Sequence, residues 1–514
     1  MKIVVYETKG SHELDVSGTG TLLETLEENG IHVESACGAS CHCHKCCVLV
    51  HDADGVSNRR ACQTPVSDGM EVAIDRRYGK LTNLVNMQSK WGADGEGWGY
   101  GYAIDVGTDT VVCRLYDLET GKIMGTTMRT NPQIVFGTDI ANRLRACSQG
   151  YLKDMSRILG ETLVDMAGEL ADVAGIDLTQ VSYTVLAGNT VMEHIAAEID
   201  PSPIRRPPYE PPTCFGDEID YIAFQKGDIA AGTTLFSSCI SAYVGGDFTC
   251  SMLALDALHT QEPMLFIDLG ASGEIAIVDE SGIDVCAISV ASVFEGGGIK
   301  YGMAARPGAI SRLVYSGGCF VTTVIAGVEP MGVCCTGLID CAAIMLDYGV
   351  IDPLGRILTD DEIDTARSQG MEYFLCDRDG ERCIQLAPDV YVTQSDIYTL
   401  QACKAAVRAA IDVLLERRSI AMGDIKDLVI AGSFGQFLSL SSASRIGLVP
   451  YELLYCAHTV GNTTLEGASA LLISDEAADE LDSIVSACRC IDLARTPYFE
   501  RCYLESFQFG LCAC

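Results

Sequence analysis

A chain of 514 residues is too long for one hydrophobic core and should divide into a small module plus one large or two medium domains. With 48% hydrophobic and 20% charged residues it has an ordinary globular composition, which argues against disorder. Its 70 Asp plus Glu against 35 Lys plus Arg leave a formal charge of −35, which argues against nucleic acid and against anionic membrane surfaces, since both reward a basic face. Any nucleotide must then be held by backbone amides or a metal ion.

The 25 cysteines would suggest disulfides in a short secreted chain, but no charged start followed by an apolar core precedes residue 30, so a reducing cytoplasm is expected. No run approaches about eighteen uninterrupted apolar residues. The stretch from Val333 to Leu346 is shorter and contains Asp340. No membrane span is expected.

Residues 1–78 alternate in short units: a strand over Lys2–Glu7, a helix over Thr21–Glu28, a Cys-rich loop, a strand over Cys47–His51 and a closing strand over Met70–Asp75. The loop reads CGASCHCHKC from Cys37 to Cys46, and Cys62 follows in RRACQTPVSDGMEV. A 2Fe-2S centre needs four soft thiolates, three from one tight loop and the fourth from a distant segment, so Cys37, Cys43, Cys46 and Cys62 are the expected ligands. The spacing is C-x5-C-x2-C, one residue longer than the plant-type C-x4-C-x2-C. Gly38 can supply backbone angles that turn amides toward cluster sulfurs. Cys41 and Cys47 read as bystanders. Competing readings are a zinc site on Cys43, Cys46, Cys62 and one of His42, His44 or His51, a set of reactive thiols, or a Rieske-like use of His42 and His44.

The stretch over residues 79–99 lacks periodicity, is rich in Gly and Asn, and reads as a linker. From residue 100 glycine-punctuated hairpins alternate with long amphipathic helices, and the pattern repeats. IDVGTDTVVCRLYD (Ile104 to Asp117) is echoed by IDLGASGEIAIVDE (Ile267 to Glu280), and TVLAGNTVMEH (Thr184 to His194) by LVIAGSFGQFL (Leu428 to Leu438). Two signatures repeated in the same order imply two homologous lobes, about 100–235 and 236–514.

The two Asp-Gly turns put amides and hydroxyls where they can cradle phosphate oxygens, with a carboxylate that can hold hydrated Mg²⁺. Asp105 and Asp268 are therefore candidates to organise metal and phosphates, with Gly107, Thr108, Thr110, Gly270, Ser272 and Gly273 lining the turns. Glu295 precedes three glycines and is a candidate to orient water near a γ-phosphate, although turn formation by Gly296 to Gly298 explains the segment equally well. Cys488, Cys490, Cys502, Cys512 and Cys514 crowd the C-terminus without any C-x2-C, so free thiols compete with a second cluster there.

The paired turns resemble the two phosphate loops of the actin, sugar-kinase and heat-shock-chaperone ATPases. In that superfamily the segment matching AGSFG lies against adenosine, which marks Gly432, Ser433, Phe434 and Gly435 as candidates. Residues 1–78 resemble the ferredoxin domain of the reductive activators of corrinoid proteins, whose loop shares the C-x5-C-x2-C form and an L-A-C-Q-T-like fourth ligand; Arg60 replaces the usual apolar residue. The stretches NPQIVFGTDIANRL, AGNTVMEH, DPSPIRRPPYEPP, YVGGD, FEGGGIKYGMAARPGAI, RIGLVP and GNTTLEGA resemble, in order, the ATPase portion of the same family. The short linker leaves no room for the additional middle domain of larger members, so a short variant is expected.

The resemblance implies an α+β multi-domain protein: a β-grasp ferredoxin-like domain over 1–78, then a duplicated two-lobe α/β ATPase over 100–514. It implies a 2Fe-2S cluster, ATP and Mg²⁺ as cofactors. Its acceptor would be the Co(II) corrinoid protein of a methyltransferase or demethylase system, returned to Co(I) with electrons from an upstream donor. A homodimer is compatible with it. A cluster-regulated small-molecule kinase and a non-catalytic ATP-binding redox sensor are the rival expectations.

Overall fold

The computed structural model describes residues 1–7, 10–16, 20–29, 31, 47–52, 55–73, 91, 98–137, 139–219, 234–270, 273–288, 291–294, 296–305, 307–432 and 438–510. The chain divides into two units, Met1–Val85 and Asn86–Cys514.

In the first unit β1 (Lys2–Glu7), β2 (Gly10–Asp15), β3 (Cys47–Asp52), β4 (Gly55–Arg60) and β5 (Glu71–Ala73) form one sheet in the order β2-β1-β5-β3-β4. Only the β1–β5 pair is parallel. Alternation in β1 turns Ile3 and Val5 inward, where they pack with Val48, Val50 and Val72 and with Leu22, Leu23 and Leu26 of α1 (Leu22–Glu28). Thr21 and Glu24 start that helix reciprocally: the Glu24 carboxylate accepts from Thr21 N at 2.8 Å, and the Thr21 hydroxyl accepts from Glu24 N at 3.3 Å. This is the expected β-grasp ferredoxin-like arrangement. The strands that sequence reading did not expect, β2 and β4, are the two edges of the sheet. Their sequences, GSHELD and GVSNRR, carry no apolar alternation because an edge strand need not bury a full face.

The second unit opens with an antiparallel meander, β6 (Tyr100–Val106), β7 (Thr110–Asp117) and β8 (Lys122–Thr130). After α2 (Leu152–Ala174), β9 (Val181–Gly188) returns parallel to β6 and leads into α3 (Thr190–Ala196). With β10 (Glu218–Ile219) and β11 (Thr234–Phe236) the sheet order is β10-β11-β9-β6-β7-β8.

Beyond α4 (Gly246–Ala254) the pattern restarts with β12 (Met264–Asp268), β13 (Glu274–Asp279) and β14 (Gly282–Ala287). Two small sheets are inserted there. One is formed by β15 (Ala309–Ser316), β16 (Cys319–Val324) and β17 (Gly332–Val333). The other follows α5 (Cys335–Asp347) and contains β18 (Leu375–Arg378), β19 (Glu381–Ala387) and β20 (Val390–Thr393).

After α6 (Gln394–Arg418), β21 (Asp427–Ala431) lies parallel to β12 and β22 (Ala457–Thr459) parallel to β21. Then come α7 (Thr463–Ile473), α8 (Asp475–Ala487) and β23 (Cys488–Cys490), completing the order β22-β21-β12-β13-β14-β23. The parallel run β11-β9-β6 and its antiparallel continuation β7-β8 recur as β22-β21-β12 and β13-β14. The duplication read from the sequence is thus a duplication of strand order and direction.

No helix among the described residues is long and apolar enough to cross a membrane. Asp340 sits inside α5, where its carboxylate accepts from Leu313 N at 3.1 Å and pairs with Arg312 at 3.2 Å.

The two lobes are joined where α7 crosses α4. A Cβ on Gly467 would stand 2.0 Å from Cys250 O, so the helices approach as closely as backbone allows. Ser251 and Thr463 share a 2.7 Å hydroxyl bond, and Arg114 of β7 pairs with Glu466 at 3.0 Å. Gly467→Ala should push the helices apart and lower the unfolding free energy by about 1–3 kcal/mol, as overpacking does elsewhere. Thermal unfolding of the variant checks this, and an unchanged midpoint would show that the crossing carries no such constraint.

Candidate functional site

The meanders place two aspartates at corresponding points. Asp105 lies one residue before the end of β6 and Asp268 ends β12, each leading into a tight turn. In the first turn, a Cβ on Gly107 would stand 2.7 Å from Thr110 O, which demands glycine. Asn131 Nδ2 donates to Gly107 O at 2.8 Å, and the buried Arg143 guanidinium donates to Thr108 O. Thr108 is 2% exposed and its hydroxyl accepts from Asn189 Nδ2 at 3.2 Å, while Thr110 is half-buried at the start of β7. In the second turn Gly270 N donates to Asp268 Oδ1 at 2.7 Å, and Gly273 takes a φ of +64°.

A third carboxylate, which the sequence reading did not single out, joins these two. Asp247 stands in the first turn of α4, in the YVGGD stretch, and its charge acts on the same centre as those of Asp105 and Asp268. Burial first, and then the charges of Asp268 and Asp105, push Asp247 up to about 7. Asp105 is likewise pushed up to about 7 by burial and by Asp268, against the opposing effect of a 2.6 Å hydrogen bond donated by Asn462 Nδ2. Burial also raises Asp268, partly offset by the Gly270 N–H. All three remain partly open to solvent. Among the described residues, no Lys or Arg acts on any of them. An array of hard oxygen donors without a resident counter-charge suits a divalent cation such as Mg²⁺.

The surrounding residues hold this arrangement. Glu193 is fully buried, accepts from Gly188 N at 3.0 Å and receives the Cys239 thiol at 2.9 Å. A Cβ on Gly246 would meet its Oε1 at 2.3 Å, so the second glycine of YVGGD is what leaves room for Glu193 beside the start of α4. Asn189 caps α3 by accepting from Met192 N, and Asn462 caps α7 by accepting from Leu465 N. Both asparagines therefore tie a helix start to a candidate turn. Their signal lay in AGNTVMEH and GNTTLEGA, which entered the sequence reading as a repeat signature and as points of resemblance, not as site residues.

Gly432, with φ +80°, borders the centre: a Cβ there would stand 2.8 Å from Asp268 Oδ1. Ser272, Glu295, Ser433, Phe434 and Gly435 lie outside the described residues, as do Cys37, Cys43 and Cys46. Cys62 is described. It lies in the short turn Ala61–Gln63 that follows β4, 6% exposed and packed into the first unit's core. A shielded thiol in that place fits a soft-metal ligand.

Residues 262–510 match the family described as the C-terminal domain of RACo, the ASKHA domain, and residues 100–261 match the RACo middle region. Together these two matches span residues 100–510. Residues 12–77 match the 2Fe-2S iron-sulfur cluster binding domain, so the ferredoxin domain stands ahead of them. The corrinoid activation enzyme RamQ of Eubacterium limosum is 26% identical over 587 residues, covering 97% of this chain and 98% of its own. The [Co(II) methylated amine-specific corrinoid protein] reductase of Methanosarcina barkeri is 23% identical over 80% of this chain and 77% of its own. A solved structure of a reductive activator for corrinoid,iron-sulfur protein superposes with a TM-score of 0.70 at 24% identity, covering 99% of this chain and 98% of that one, which establishes the shared fold.

The RACo middle region corrects one expectation: the chain is not a short variant lacking the middle domain. That domain is the six-stranded sheet from β6 to β11 with its own core, the first of the two lobes. Sequence reading looked for it as an insert within the linker, whereas it is one half of the duplication.

Between about pH 4 and pH 7 the folded chain keeps protons on Asp105 and Asp247 that an unfolded chain has released, so their contribution to stability falls as pH rises through that window. A cation bound there would replace those protons. In chelator-treated protein at pH 8, Asp247→Asn should raise the melting temperature, and Mg²⁺ should raise that of the wild type more than that of the variant. A wild-type melting curve at pH 8 that ignores Mg²⁺ would contradict a cation site.

Proposed function

We propose that this protein reactivates a corrinoid protein by passing one electron to its Co(II) centre, returning it to Co(I), with ATP bound and hydrolysed at the Asp105, Asp247 and Asp268 centre. The observation that carries this reading is the domain series, a 2Fe-2S domain ahead of two RACo domains, matched end to end by a relative named as a corrinoid activation enzyme.

In this reading Asp105, Asp247 and Asp268 hold hydrated Mg²⁺, which supplies charge neutralisation to the phosphates. The turns Gly107–Thr110 and Gly270–Gly273 offer backbone amides to phosphate oxygens, with Thr108, Thr110 and Ser272 as hydroxyl neighbours. Gly432 to Gly435 lie against adenosine, and Glu295 orients the attacking water. Cys37, Cys43, Cys46 and Cys62 hold the 2Fe-2S cluster, which supplies one electron from about −400 mV in the plant-type range.

Each further 100 mV of uphill transfer costs about 2.3 kcal/mol for one electron. A nucleotide-bound state that prefers the reducible form of its acceptor by about 5.5 kcal/mol inverts a population of 1:99, so lobe closure is a sufficient lever. The partner is then a corrinoid protein of a methyltransferase or demethylase system in the cytoplasm, with an upstream electron donor; a homodimer is compatible with this.

ATP hydrolysis measured with and without a Co(II) corrinoid protein tests the reading. Stimulation by the corrinoid protein is expected, with Asp247→Asn lowering the stimulated rate by at least about 100-fold, the scale seen when one transition-state charge stabiliser is removed. Hydrolysis that ignores corrinoid proteins and requires a sugar or small acid would contradict it.

A further inference from the structure

β18 and β19 are joined by Asp379 and Gly380, whose φ values of +54° and +79° are the two left-handed positions of a type I′ turn. That turn sets the register in which Cys376 faces Cys383, and their sulfurs stand 3.4 Å apart. Facing residues of an antiparallel pair have Cα atoms about 4.5–5.5 Å apart. That spacing lies inside the roughly 4.4–6.8 Å window of a disulfide, so closing the sulfurs to about 2.05 Å needs side-chain rotation and little backbone movement. The two thiols differ in access: Cys376 is half-buried and Cys383 is buried. Burial, and after it the hydrogen bond and charge of Cys376, push the Cys383 thiol up to about 12, which leaves Cys376 as the entry point.

We propose that Cys376 and Cys383 are a dithiol modification site, converted to an intramolecular disulfide by low-molecular-weight disulfides of the glutathione class. The Cys376 thiolate attacks one sulfur of the small disulfide, forming a mixed disulfide and releasing one thiolate. Cys383 gives up its proton and attacks Cys376 Sγ, forming the protein disulfide and releasing the second small thiol. Two electrons pass from the cysteine sulfurs to the small disulfide, and the two thiol protons leave on the released thiols.

The modified hairpin reaches toward the glycine turn of the second lobe. Asp379 at its tip pairs with Lys300 Nζ at 2.8 Å, the Arg378 guanidinium lies 4.3 Å over the Tyr391 ring, and Tyr391 meets Tyr301 at 5.6 Å between ring centres. Lys300 and Tyr301 follow Gly296 to Gly298 in the chain. Oxidation therefore stiffens the arm that grips this segment.

The test equilibrates the full chain anaerobically in glutathione buffers of rising oxidised-to-reduced ratio, blocks remaining thiols and digests with trypsin without reductant. Cleavage after Arg378 and Arg382 yields residues 368–378 and 383–404 as separate peptides from the dithiol, whereas the disulfide joins them into one species. The joined species should accumulate with the ratio, disappear on reduction, be absent from Cys376→Ser and persist in Cys403→Ser. Recovery of the two peptides only as separately blocked or separately glutathionylated species at the most oxidising ratio would overturn the proposal, and so would loss of the joined species in Cys403→Ser.

Discussion

Three carboxylates that repel one another meet where the two lobes join, with no lysine or arginine among the described residues set against them. Burial raises their proton affinity, so the site is a local cost to the fold that a bound divalent cation would relieve. Much of the neighbouring sequence is explained by the need to hold them there. Asn462 fixes Asp105, Gly270 N fixes Asp268, and the absent side chains of Gly246 and Gly432 leave room for Glu193 and Asp268. A functional site that costs stability and is held by its surroundings is a common compromise.

The duplication accounts for the symmetry of the site and also for its asymmetry. Each meander carries an aspartate at or one residue before the end of a central strand, which gives Asp105 and Asp268 equivalent places in equivalent sheets. The third carboxylate has no such counterpart, because Asp247 comes from α4, at the passage from the first repeat to the second. The same helix packs against α7 through Gly467, so the element that carries Asp247 also bears the contact between lobes. A change in lobe packing would therefore act on the carboxylate centre directly.

The two Asp-Gly hairpins were legible in the sequence because a hairpin writes its own local pattern: an apolar strand, an acid, a glycine turn and a second strand. The core strands β1, β3 and β5 and the helix α1 were legible for the same reason. The edge strands β2 and β4 were not, since polar residues suffice where one side faces solvent. Asp247, Glu193, Asn189 and Asn462 were not legible as site residues either, since each acts through a neighbour far away in the chain. Asn462 and Asp105, for example, are separated by 357 positions. The middle domain was visible as a set of motifs but was misread as missing, because half of a duplication was mistaken for something that should be additional to it.

The proposed function joins a 2Fe-2S domain to a two-lobe nucleotide fold by letting nucleotide energy move the electron. The most direct test is anaerobic mixing of the reduced full chain with a Co(II) corrinoid protein, with and without Mg-ATP, while following the Co(I) absorption band. The band should grow only when ATP is present. Its absence with ATP, under conditions where a strong chemical reductant produces it, would contradict the account.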